Sequence, residues 1–328
     1  MKITITGGAG FIGSHLTERL LNEGHEVCIL DNLSTGNLHN LSAVNSSTNL
    51  KIVNGSILDS DLCSSLVKQS DYVFHFAAAV GVFKIVNNPL ESLRINLLGT
   101  ENLVDVATKY KIPLFLASSS EVYGKNSKDS LSETDDRIIG SPSKLRWTYS
   151  EAKALDESIV YANFLLHGLQ GRIVRFFNTV GPRQIGNYGM VIPRLVTQAL
   201  AGEPINIFGD GTQRRCFLHV YDAIDAIMNV AFAHNTIGKT INIGNKYEIS
   251  ITELSKLIIK VTNSKSPVKY VPYQEAYGSD FEDMERRVPN IDLINELVGW
   301  KPKISLEQII IDVAKEIKLN KENGPQYL

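Results

Sequence analysis

A glycine-rich turn directly after the first apolar run constrains the fold more than any other feature of this chain. Residues 7–13 read Gly-Gly-Ala-Gly-Phe-Ile-Gly and separate the strand-like residues 3–6 from a segment of helical period, residues 11–22. Glycines let the turn form and let backbone N–H groups approach a pyrophosphate, whose charge the N-terminus of the following helix favours. Any tight strand-to-helix turn can contain glycines, so the position after the first strand matters most. The turn predicts a Rossmann-type dinucleotide-binding unit at the N-terminus.

An acidic residue after the second apolar run supports the same prediction. Asp31 follows the strand-like residues 27–30, where a carboxylate can accept hydrogen bonds from the ribose hydroxyls of an adenosine. A loop-capping aspartate is the structural alternative. Residues 32–36 contain no Arg or Lys that could receive a 2′-phosphate, so the sequence favours NAD over NADP as the cofactor.

The alternation of short apolar runs and helical segments extends this unit over the first half of the chain. It includes residues 72–76, 89–110, 114–117, 149–166 and 173–177. This pattern predicts an α/β fold with a doubly wound parallel sheet that helices cover on both faces. After residue 177 the pattern loosens into Gly- and Pro-rich turns. We therefore expect an NAD-binding Rossmann domain in residues 1–177 and a smaller α/β substrate lobe in residues 178–328, with a strand near residues 239–244 returning to the main sheet.

Composition limits the classes of partner. The 328 residues are 43% hydrophobic and 21% charged, as in a soluble globular protein with a large core. A formal net charge of -2 leaves no basic surplus for binding nucleic acid. The three cysteines are too few and too scattered for a disulfide framework or a zinc site, which indicates a reducing compartment. Without a signal segment or an apolar run of bilayer length, we expect a cytoplasmic protein that makes no membrane contact.

A tyrosine and a lysine at helical spacing suggest acid–base chemistry. Tyr149 and Lys153 lie four residues apart at the start of a helical segment, which places both side chains on one helix face. An ammonium beside a phenol lowers the pKa of the phenol, so that the tyrosine can accept a hydroxyl proton near neutral pH. A solvated helix face would show the same spacing. However, the turn 118–124, Ser-Ser-Ser-Glu-Val-Tyr-Gly, follows the strand-like residues 114–117 and so lies at a carboxyl end, where open α/β sheets bind their ligands.

Together these motifs resemble the extended short-chain dehydrogenase/reductase family, in its nucleotide-sugar epimerase, dehydratase and decarboxylase branch. Further matching motifs lie at residues 31–36, 75–78, 175–178, 181–183 and 209–212, so the resemblance covers nearly the whole chain. It implies permanently bound NAD, a nucleotide-sugar substrate and transient oxidation of the sugar at C4. It also implies that Ser119 hydrogen-bonds the reacting hydroxyl and that Tyr149 is the base. The family's usual two-helix dimer contact would fall around residues 89–110 and 149–166, so we expect a homodimer.

The motifs and the resemblance together mark two sets of residues in the first domain. The predicted cofactor-binding residues are Gly7, Gly10, Phe11, Ile12, Gly13, Asp31, Asn32, Ser34, Thr35, Gly36, Ser56, Ile57, Phe76, Ala77, Ala78, Tyr149, Lys153 and Phe176. The predicted catalytic residues are Ser119, Ser120, Glu121, Tyr149 and Lys153. His75 and His219 each continue a strand and have no partner at metal-ligand spacing, so we expect structural roles for them and no metal site.

The second lobe should hold the nucleoside diphosphate of the substrate. A pyrophosphate needs charge-assisted donors, for which planar guanidinium groups are well suited. Arg183, Arg215 and Arg287 are the candidates because all three lie at positions similar to those of the family. Asn178 is expected to reach the diphosphate or the sugar, as the family's matching asparagine does, and Val191 completes the predicted substrate-binding set.

Three details resemble the decarboxylases that act on UDP-glucuronate. They are Ser120 with Glu121, the sequence Arg-Trp-Thr-Tyr at 146–149, and Arg-Val-Pro-Asn-Ile at 287–291. In that group the residues matching Glu121 and Arg287 serve the steps that release carbon dioxide. The family's 4,6-dehydratases have the sequence Asp-Glu at the positions of Ser120 and Glu121. Ser120 cannot supply the aspartic acid that dehydration needs. We therefore expect decarboxylation of a UDP-hexuronate such as UDP-glucuronate.

Two alternatives stay open. The loop 77–89 is longer than in those decarboxylases, lacks their tyrosine and has a length closer to that of 4-epimerases. A UDP-sugar 4-epimerase acting on UDP-glucose, UDP-N-acetylglucosamine or UDP-glucuronate is therefore the main alternative. A non-catalytic regulator that binds NAD or a sugar nucleotide is an alternative of another class, and the presence of Ser119, Tyr149 and Lys153 argues against it. Uridine is expected from family frequency, since no residue distinguishes UDP from GDP, CDP or dTDP sugars.

Overall fold

The structure, a computed structural model, describes residues 1–81, 85, 87–186, 190–272, 274–275, 284 and 286–323. The strands are β1 (Lys2–Thr6), β2 (Glu26–Asp31), β3 (Leu50–Asn54), β4 (Tyr72–His75), β5 (Leu114–Ser119), β6 (Gly171–Phe176), β7 (Thr179–Val180), β8 (Ile205–Phe208), β9 (Arg214–Cys216), β10 (Leu218–His219), β11 (Thr240–Ile243), β12 (Glu248–Ser250), β13 (Val268–Val271) and β14 (Arg286–Arg287). Within these residues, seven parallel strands form the main sheet in the order β3–β2–β1–β4–β5–β6–β11. The predicted α/β class with a doubly wound parallel sheet is confirmed.

The helices are α1 (Phe11–Asn22), α2 (Ser60–Val67), α3 (Pro89–Tyr110), α4 (Thr148–His167), α5 (Val191–Ala201), α6 (Val220–Phe232), α7 (Ile251–Thr262), α8 (Asp292–Val298) and α9 (Leu306–Asn323). Of these, α1, α2, α3, α4 and α6 cover the two faces of the main sheet. Neighbouring residues of β4 point to opposite faces, with Phe74 in the core under α1 and α6 and Val73 in the core under α2, α3 and α4. Both faces are apolar because a parallel sheet is buried on both sides. Among the described residues, no helix has the length and apolar character needed to cross a membrane.

The turn between β1 and α1 depends on glycine for two separate reasons. Gly7 has a φ of 73°, which is left-handed backbone, and a Cβ there would lie 2.7 Å from the backbone nitrogen of Ala77. A Cβ at Gly13 would collide with the carbonyl oxygen of Gly7. The glycines therefore bring the start of α1 close to the ends of β1 and β4.

The second lobe has a core of its own. Helices α5, α7 and α9 pack around Leu195, Leu254 and Ile309, beside the parallel pair β8 and β13. Strand β14 pairs in parallel with β9, which places Arg287 opposite Arg215 in the register. Strand β11 lies at the edge of the main sheet beside β6, so the chain returns to the first lobe after leaving it. The domain boundary at residue 177 stays a prediction.

Candidate active site

The carboxyl ends of the central strands open onto one cavity of about 530 Å³, lined by residues of both lobes. Its volume lies in the range of small-molecule sites, and its position is the one where open α/β sheets bind ligands. The predicted site residues that line it are Gly7, Gly10, Phe11, Ile12, Gly13, Asp31, Asn32, Ser34, Thr35, Ser56, Ile57, Phe76, Ala77, Ala78, Ser119, Ser120, Glu121, Tyr149, Lys153, Phe176, Asn178, Arg183, Val191, Arg215 and Arg287. The fold therefore brings nearly the whole predicted set to one place.

The glycine turn forms the floor of the cofactor side. Helix α1 begins at Phe11, and its N-cap Gly10 supplies no side chain to satisfy the first backbone N–H groups. These groups, with the positive end of the helix dipole, suit the negative charge of a pyrophosphate. A Cβ at Gly7 or Gly13 would collide with neighbouring backbone atoms, so the tight turn that brings these N–H groups to the cavity needs glycine at both positions. The residues present fit a bound dinucleotide.

The Asp31 carboxylate holds its own loop in place and leaves room for the predicted contact with a ribose. Its Oδ2 accepts a hydrogen bond from the backbone nitrogen of Ala9 at 3.0 Å, and its Oδ1 accepts one from Leu33 at 2.9 Å. These bonds hold the loop in place, and each carboxylate oxygen keeps a further acceptor position for a ribose hydroxyl. Gly36 is the one predicted residue of this set that does not line the cavity, within the described chain. A Cβ at Gly36 would lie 2.9 Å from the Asp31 carboxylate oxygens, so Gly36 lets the loop pack against Asp31.

Tyr149 lies in the first turn of α4, facing the end of β5. Burial raises its pKa above the ordinary value, the charges of Glu121 and Asp156 raise it further, and a hydrogen bond to Ser119 lowers it. That Lys153 lowers this pKa stays a prediction. The Lys153 ammonium lies 3.0 Å from Oδ2 of Asp156, so its charge is balanced by a carboxylate on the same helix.

A buried ionic cluster lies beside Ser119 at the same strand end. The Glu121 carboxylate lies between two guanidinium groups, with Oε2 at 2.6 Å from Nη1 of Arg146 and Oε1 at 2.8 Å from Nη1 of Arg287. The same Arg287 nitrogen donates to the Ser120 hydroxyl at 3.1 Å. Burial alone would raise the pKa of Glu121, but Arg287 and Arg146 outweigh it and lower that pKa to about 2. Glu121 is therefore an anion throughout the physiological pH range. We call Glu121, Arg146 and Arg287 the arginine clamp.

The other predicted substrate residues lie around the rim of the cavity in the second lobe. Val191 begins α5, so the N-terminus of this helix lies at the cavity. Asn178 donates from Nδ2 to the carbonyl of Cys216 at 3.0 Å, and Arg215 donates from Nη1 to the carbonyl of Arg214 at 2.9 Å.

Arg183 lies apart from the other two predicted arginines. Its Nη2 is 2.5 Å from the Glu18 carboxylate, and its Nη1 is 3.4 Å from the Ser14 hydroxyl, both on α1. This places Arg183 at the cofactor side of the cavity. Its contact with the substrate diphosphate stays a prediction.

A second network of hydrogen bonds and an ion pair connects the end of β5 to α4 and β6. Arg175 forms a bidentate pair with Glu157, with Nη2 at 2.7 Å from Oε2 and Nε at 2.9 Å from Oε1. Glu157 also accepts a hydrogen bond from the Ser118 hydroxyl at 2.5 Å. Because Glu157 is on α4, this network ties the helix that carries Tyr149 to strands β5 and β6. It restricts where Ser119 and Tyr149 can lie relative to each other.

Sequence reasoning did not assign a role to several residues that the structure places at the site. Arg146 belongs to a segment noted in the sequence, but its ion pair with Glu121 could not be inferred from that segment. Arg194, whose guanidinium lies 4.0 Å from the ring centroid of Phe208, also lines the cavity and carries no sequence motif. His75 is buried between Thr6 and Thr100, which agrees with the structural role expected for it. Within the described chain, no cluster of three or more His, Cys, Asp or Glu side chains could hold a metal ion.

Known proteins match this chain over almost its whole length. The model of the NAD dependent epimerase/dehydratase family matches residues 3–244, and the chain belongs to that family. It is 41% identical to UDP-N-acetyl-alpha-D-glucosaminuronate decarboxylase of Bacillus cytotoxicus over 94% of each chain. It is 34% identical to UDP-glucuronic acid decarboxylase 1 of Xenopus tropicalis, over 94% of this chain and 70% of the relative.

A solved structure also places an epimerase among the similar proteins. UDP-glucuronic acid 4-epimerase of Bacillus cereus, in complex with UDP-glucuronic acid and NAD, superposes with a TM-score of 0.87 at 28% identity, covering 97% of this chain and 99% of its own. The predicted family and its NAD cofactor are confirmed. This chain is an enzyme of a family whose similar members act on nucleotide sugars.

Proposed function

We propose that this enzyme removes carbon dioxide from a UDP-linked hexuronate after transient oxidation of the sugar at C4. The arginine clamp is the observation that carries the proposal. Its Glu121 lies two residues after Ser119 on the turn that ends β5, and the backbone nitrogen of Glu121 donates to the Ser119 hydroxyl at 3.2 Å. The C6 carboxylate of a hexuronate is close to C4, so the groups that bind it must be close to the base.

The charge of the clamp supports a substrate that carries a carboxylate. Two guanidinium groups contact one carboxylate here, and the side chains are only 7%, 8% and 15% exposed for Arg146, Arg287 and Glu121. Guanidinium groups at low exposure favour contact with anions, so the carboxylate of a substrate suits this place. Nε of Arg287 is buried and makes no hydrogen bond within the described residues. A planar carboxylate is the ligand that a guanidinium edge binds best.

The proposed reaction needs few groups beyond those at this strand end. Bound NAD+ would supply the hydride acceptor at C4 and return the hydride at the end, so no external reductant is consumed. Tyr149 accepts the proton of the C4 hydroxyl while Ser119 orients that hydroxyl. The resulting C4 ketone stabilises the electron pair left at C5 when the C5–C6 bond breaks and carbon dioxide departs. C5 then takes up a proton, and the net change is a UDP-hexuronate and a proton converted to a UDP-pentose and carbon dioxide.

Two hexuronates are the first substrates to consider. The relative at 41% identity is named for UDP-N-acetyl-alpha-D-glucosaminuronate, and the relative at 34% identity for UDP-glucuronic acid. We propose the N-acetylated hexuronate as the preferred substrate because the more similar relative uses it. The uridine diphosphate would lie along the second lobe, with its charge at the start of α5 and near Arg215.

A 4-epimerase acting on a UDP-hexuronate is the second candidate. The Bacillus cereus structure is that of a 4-epimerase with UDP-glucuronic acid, so a carboxylate-bearing substrate is compatible with both reactions. The loop 77–89, whose length pointed to epimerases, lies partly outside the described residues, at 82–84 and 86. The mass of the product distinguishes the two candidates.

The deciding experiment is to incubate the purified holoenzyme separately with both hexuronates, UDP-glucose and UDP-N-acetylglucosamine, and to follow the products by NMR and mass spectrometry. We expect loss of carbon dioxide from a hexuronate and no conversion of the two neutral sugars. Conversion of a hexuronate without change in mass would establish the 4-epimerase instead. Conversion of a neutral sugar alone would show that the arginine clamp does not recognise a carboxylate.

We also propose that the enzyme is a cytoplasmic homodimer that assembles through α3 and α4. These two helices pack side by side and both expose large apolar side chains, such as Leu98, Leu155 and Leu166 at 48%, 49% and 76%. Exposed apolar side chains on two neighbouring helices favour an interface between subunits. All three cysteines are free thiols, which fits a reducing compartment. Light scattering of the wild type and of Leu166→Asp checks the assembly, and we expect a dimer that the variant dissociates.

A further inference from the structure

We propose that Asp156 is a positioning residue for the reaction, which holds the Lys153 ammonium and thereby sets how readily Tyr149 exchanges its proton. The inference rests on the role of base proposed above for Tyr149. It applies equally to decarboxylation and to 4-epimerisation, because both begin with removal of the C4 hydroxyl proton. No motif in the sequence pointed to Asp156.

The contact between Lys153 and Asp156 is a buried ion pair within one turn of α4. Nζ of Lys153 lies 3.0 Å from Oδ2 of Asp156, and the two side chains are 3% and 0% exposed. Of these two described residues, Lys153 lines the cavity and Asp156 does not. Breaking a buried pair by removing one partner leaves an uncompensated charge. Asp156 therefore acts on the reacting groups through Lys153, not by touching the ligand.

A chain of buried polar groups from three other elements lies behind Asp156. Burial raises the pKa of Asp156, while Lys153 and a hydrogen bond with Thr100 on α3 oppose that shift. The Thr100 hydroxyl lies 3.0 Å from Nε2 of His75 on β4. Nδ1 of His75 lies 2.7 Å from the Thr6 hydroxyl at the end of β1, which accepts from the backbone nitrogen of Ala77 at 3.2 Å. The network thus runs from the helix that carries Tyr149 to the cofactor side of the cavity.

The charges near Tyr149 differ in how completely they are balanced. The titratable and charged groups around Tyr149 and the buried pair are Glu121, Arg146, Lys153, Asp156, Glu157, Arg175, Arg287 and His75. Two guanidinium groups balance Glu121, and Arg175 balances Glu157. Burial and the Lys153 charge lower the pKa of His75 to about 3, so the imidazole is neutral. Asp156 is balanced by Lys153 alone.

Removal of the Asp156 charge should therefore favour the phenolate of Tyr149. The Lys153 ammonium would keep its charge with a neutral hydrogen-bonding partner, and the local potential would become more positive. A nearby like charge disfavours ionisation of an acid, so its removal lowers the pKa of that acid. The ascending limb of the pH–rate profile, which reports ionisation of the base, would then move to lower pH.

The test is the pH dependence of C4 oxidation in a single turnover of the holoenzyme, followed by the absorbance of the reduced cofactor. For Asp156→Asn we expect the ascending limb to move down by about one pH unit. Asp156→Glu keeps the charge and should stay near the wild type. Glu151→Gln is the matched control, because Glu151 is 49% exposed on the same helix and pairs with Arg137 at the surface. An ascending limb of Asp156→Asn that coincides with that of the wild type would overturn the proposal.

A second test guards against a variant that fails to fold. Lys153→Met leaves the Asp156 carboxylate buried without its partner, and adding Asp156→Asn removes that charge. We expect the double variant to melt at a higher temperature than Lys153→Met and to keep the ascending limb of Lys153→Met, because Asp156 acts through the missing ammonium. A limb that moves between these two variants as far as it moves between the wild type and Asp156→Asn would contradict the inference. If Tyr149→Phe stays active, Tyr149 is not the base, and both the proposed function and this inference fail. If Tyr149→Phe is inactive and Asp156→Asn does not move the ascending limb of the pH–rate profile, only this inference fails.

Discussion

The cofactor side and the substrate side of the cavity are built in different ways. On the cofactor side, backbone groups and glycines of one continuous turn, residues 7–13, form the surface that faces the ligand. On the substrate side, charged side chains meet that are far apart in the chain, such as Glu121 and Arg287, which are 166 residues apart. A backbone site needs only the correct local conformation. A side-chain cluster needs the whole fold to be in place.

The two sides also differ in how they handle charge. The cofactor side offers partial charges of a helix N-terminus, which cost little to bury when no ligand is bound. The substrate side holds full charges at low exposure, and each guanidinium there depends on Glu121. We therefore expect the loss of one group to reduce ligand binding moderately on the cofactor side and strongly on the substrate side.

The largest effect is expected at Tyr149, where the two sides meet. Tyr149→Phe removes the proposed base while keeping the ring, so turnover should fall by about 10²–10⁴-fold with NAD still bound. Product formation by NMR and the cofactor content of the purified protein check both parts. Turnover at the wild-type rate would remove Tyr149 from the mechanism.

A large effect on the substrate side alone is expected for Arg287→Met. The variant removes one guanidinium contact to the proposed substrate carboxylate, and loss of one partner of a buried charged contact weakens binding by about 2–5 kcal/mol, so kcat/KM for a hexuronate should fall by about 30-fold or more. Arg286→Met is the matched control, because the neighbouring Arg286 pairs with Glu248 and Asp129 at the surface. Surface pairs contribute about 0–1 kcal/mol, so the control should change kcat/KM little. Equal losses for the two variants would contradict the role given to the clamp.

The charge of Glu121 should appear in the pH dependence of stability. Its pKa is lowered from the ordinary value to about 2 in the folded protein, so it stabilises the fold above the unfolded pKa and loses that effect as the pH falls. The full contribution is about 3 kcal/mol at neutral pH, and more than half of it is lost by about pH 3. Urea unfolding of the wild type and of Glu121→Gln at several pH values measures this. The stability difference between the two should narrow as the pH falls, and a constant difference would argue against the clamp.

Graded effects are expected on the cofactor side. Gly13→Ala places a Cβ against the Gly7 carbonyl and should destabilise the fold by about 1–3 kcal/mol, with weaker NAD binding. In Gly10→Ala the nearest atom to the new Cβ is the same oxygen at 3.2 Å, so the melting temperature should change less while NAD binding still weakens. Thermal unfolding with and without added NAD distinguishes the two. The same loss of stability in both variants would show that the turn tolerates neither.

The sequence predicted the elements whose patterns are local and missed those whose patterns are not. The boundaries of α1 and α3 agree with the helical periods at residues 11–22 and 89–110. Strand β3 (Leu50–Asn54) was not recognised because it lies at the edge of the sheet, where half-exposed residues replace a continuous apolar run. In the site, the ion pair between Lys153 and Asp156 was not predicted because Asp156 belongs to no motif.

The sequence by itself determined the dinucleotide turn, the preference for NAD and the residues of the catalytic strand end. Each of these depends on glycines, short polar side chains or helical spacing within a few residues, and local backbone geometry is encoded locally. Only the tertiary structure decided that Arg146 and Arg287 enclose Glu121 and that Asp156 holds Lys153. Electrostatic contacts of this kind depend on distances of a few ångströms between separate segments, and on the burial that strengthens them.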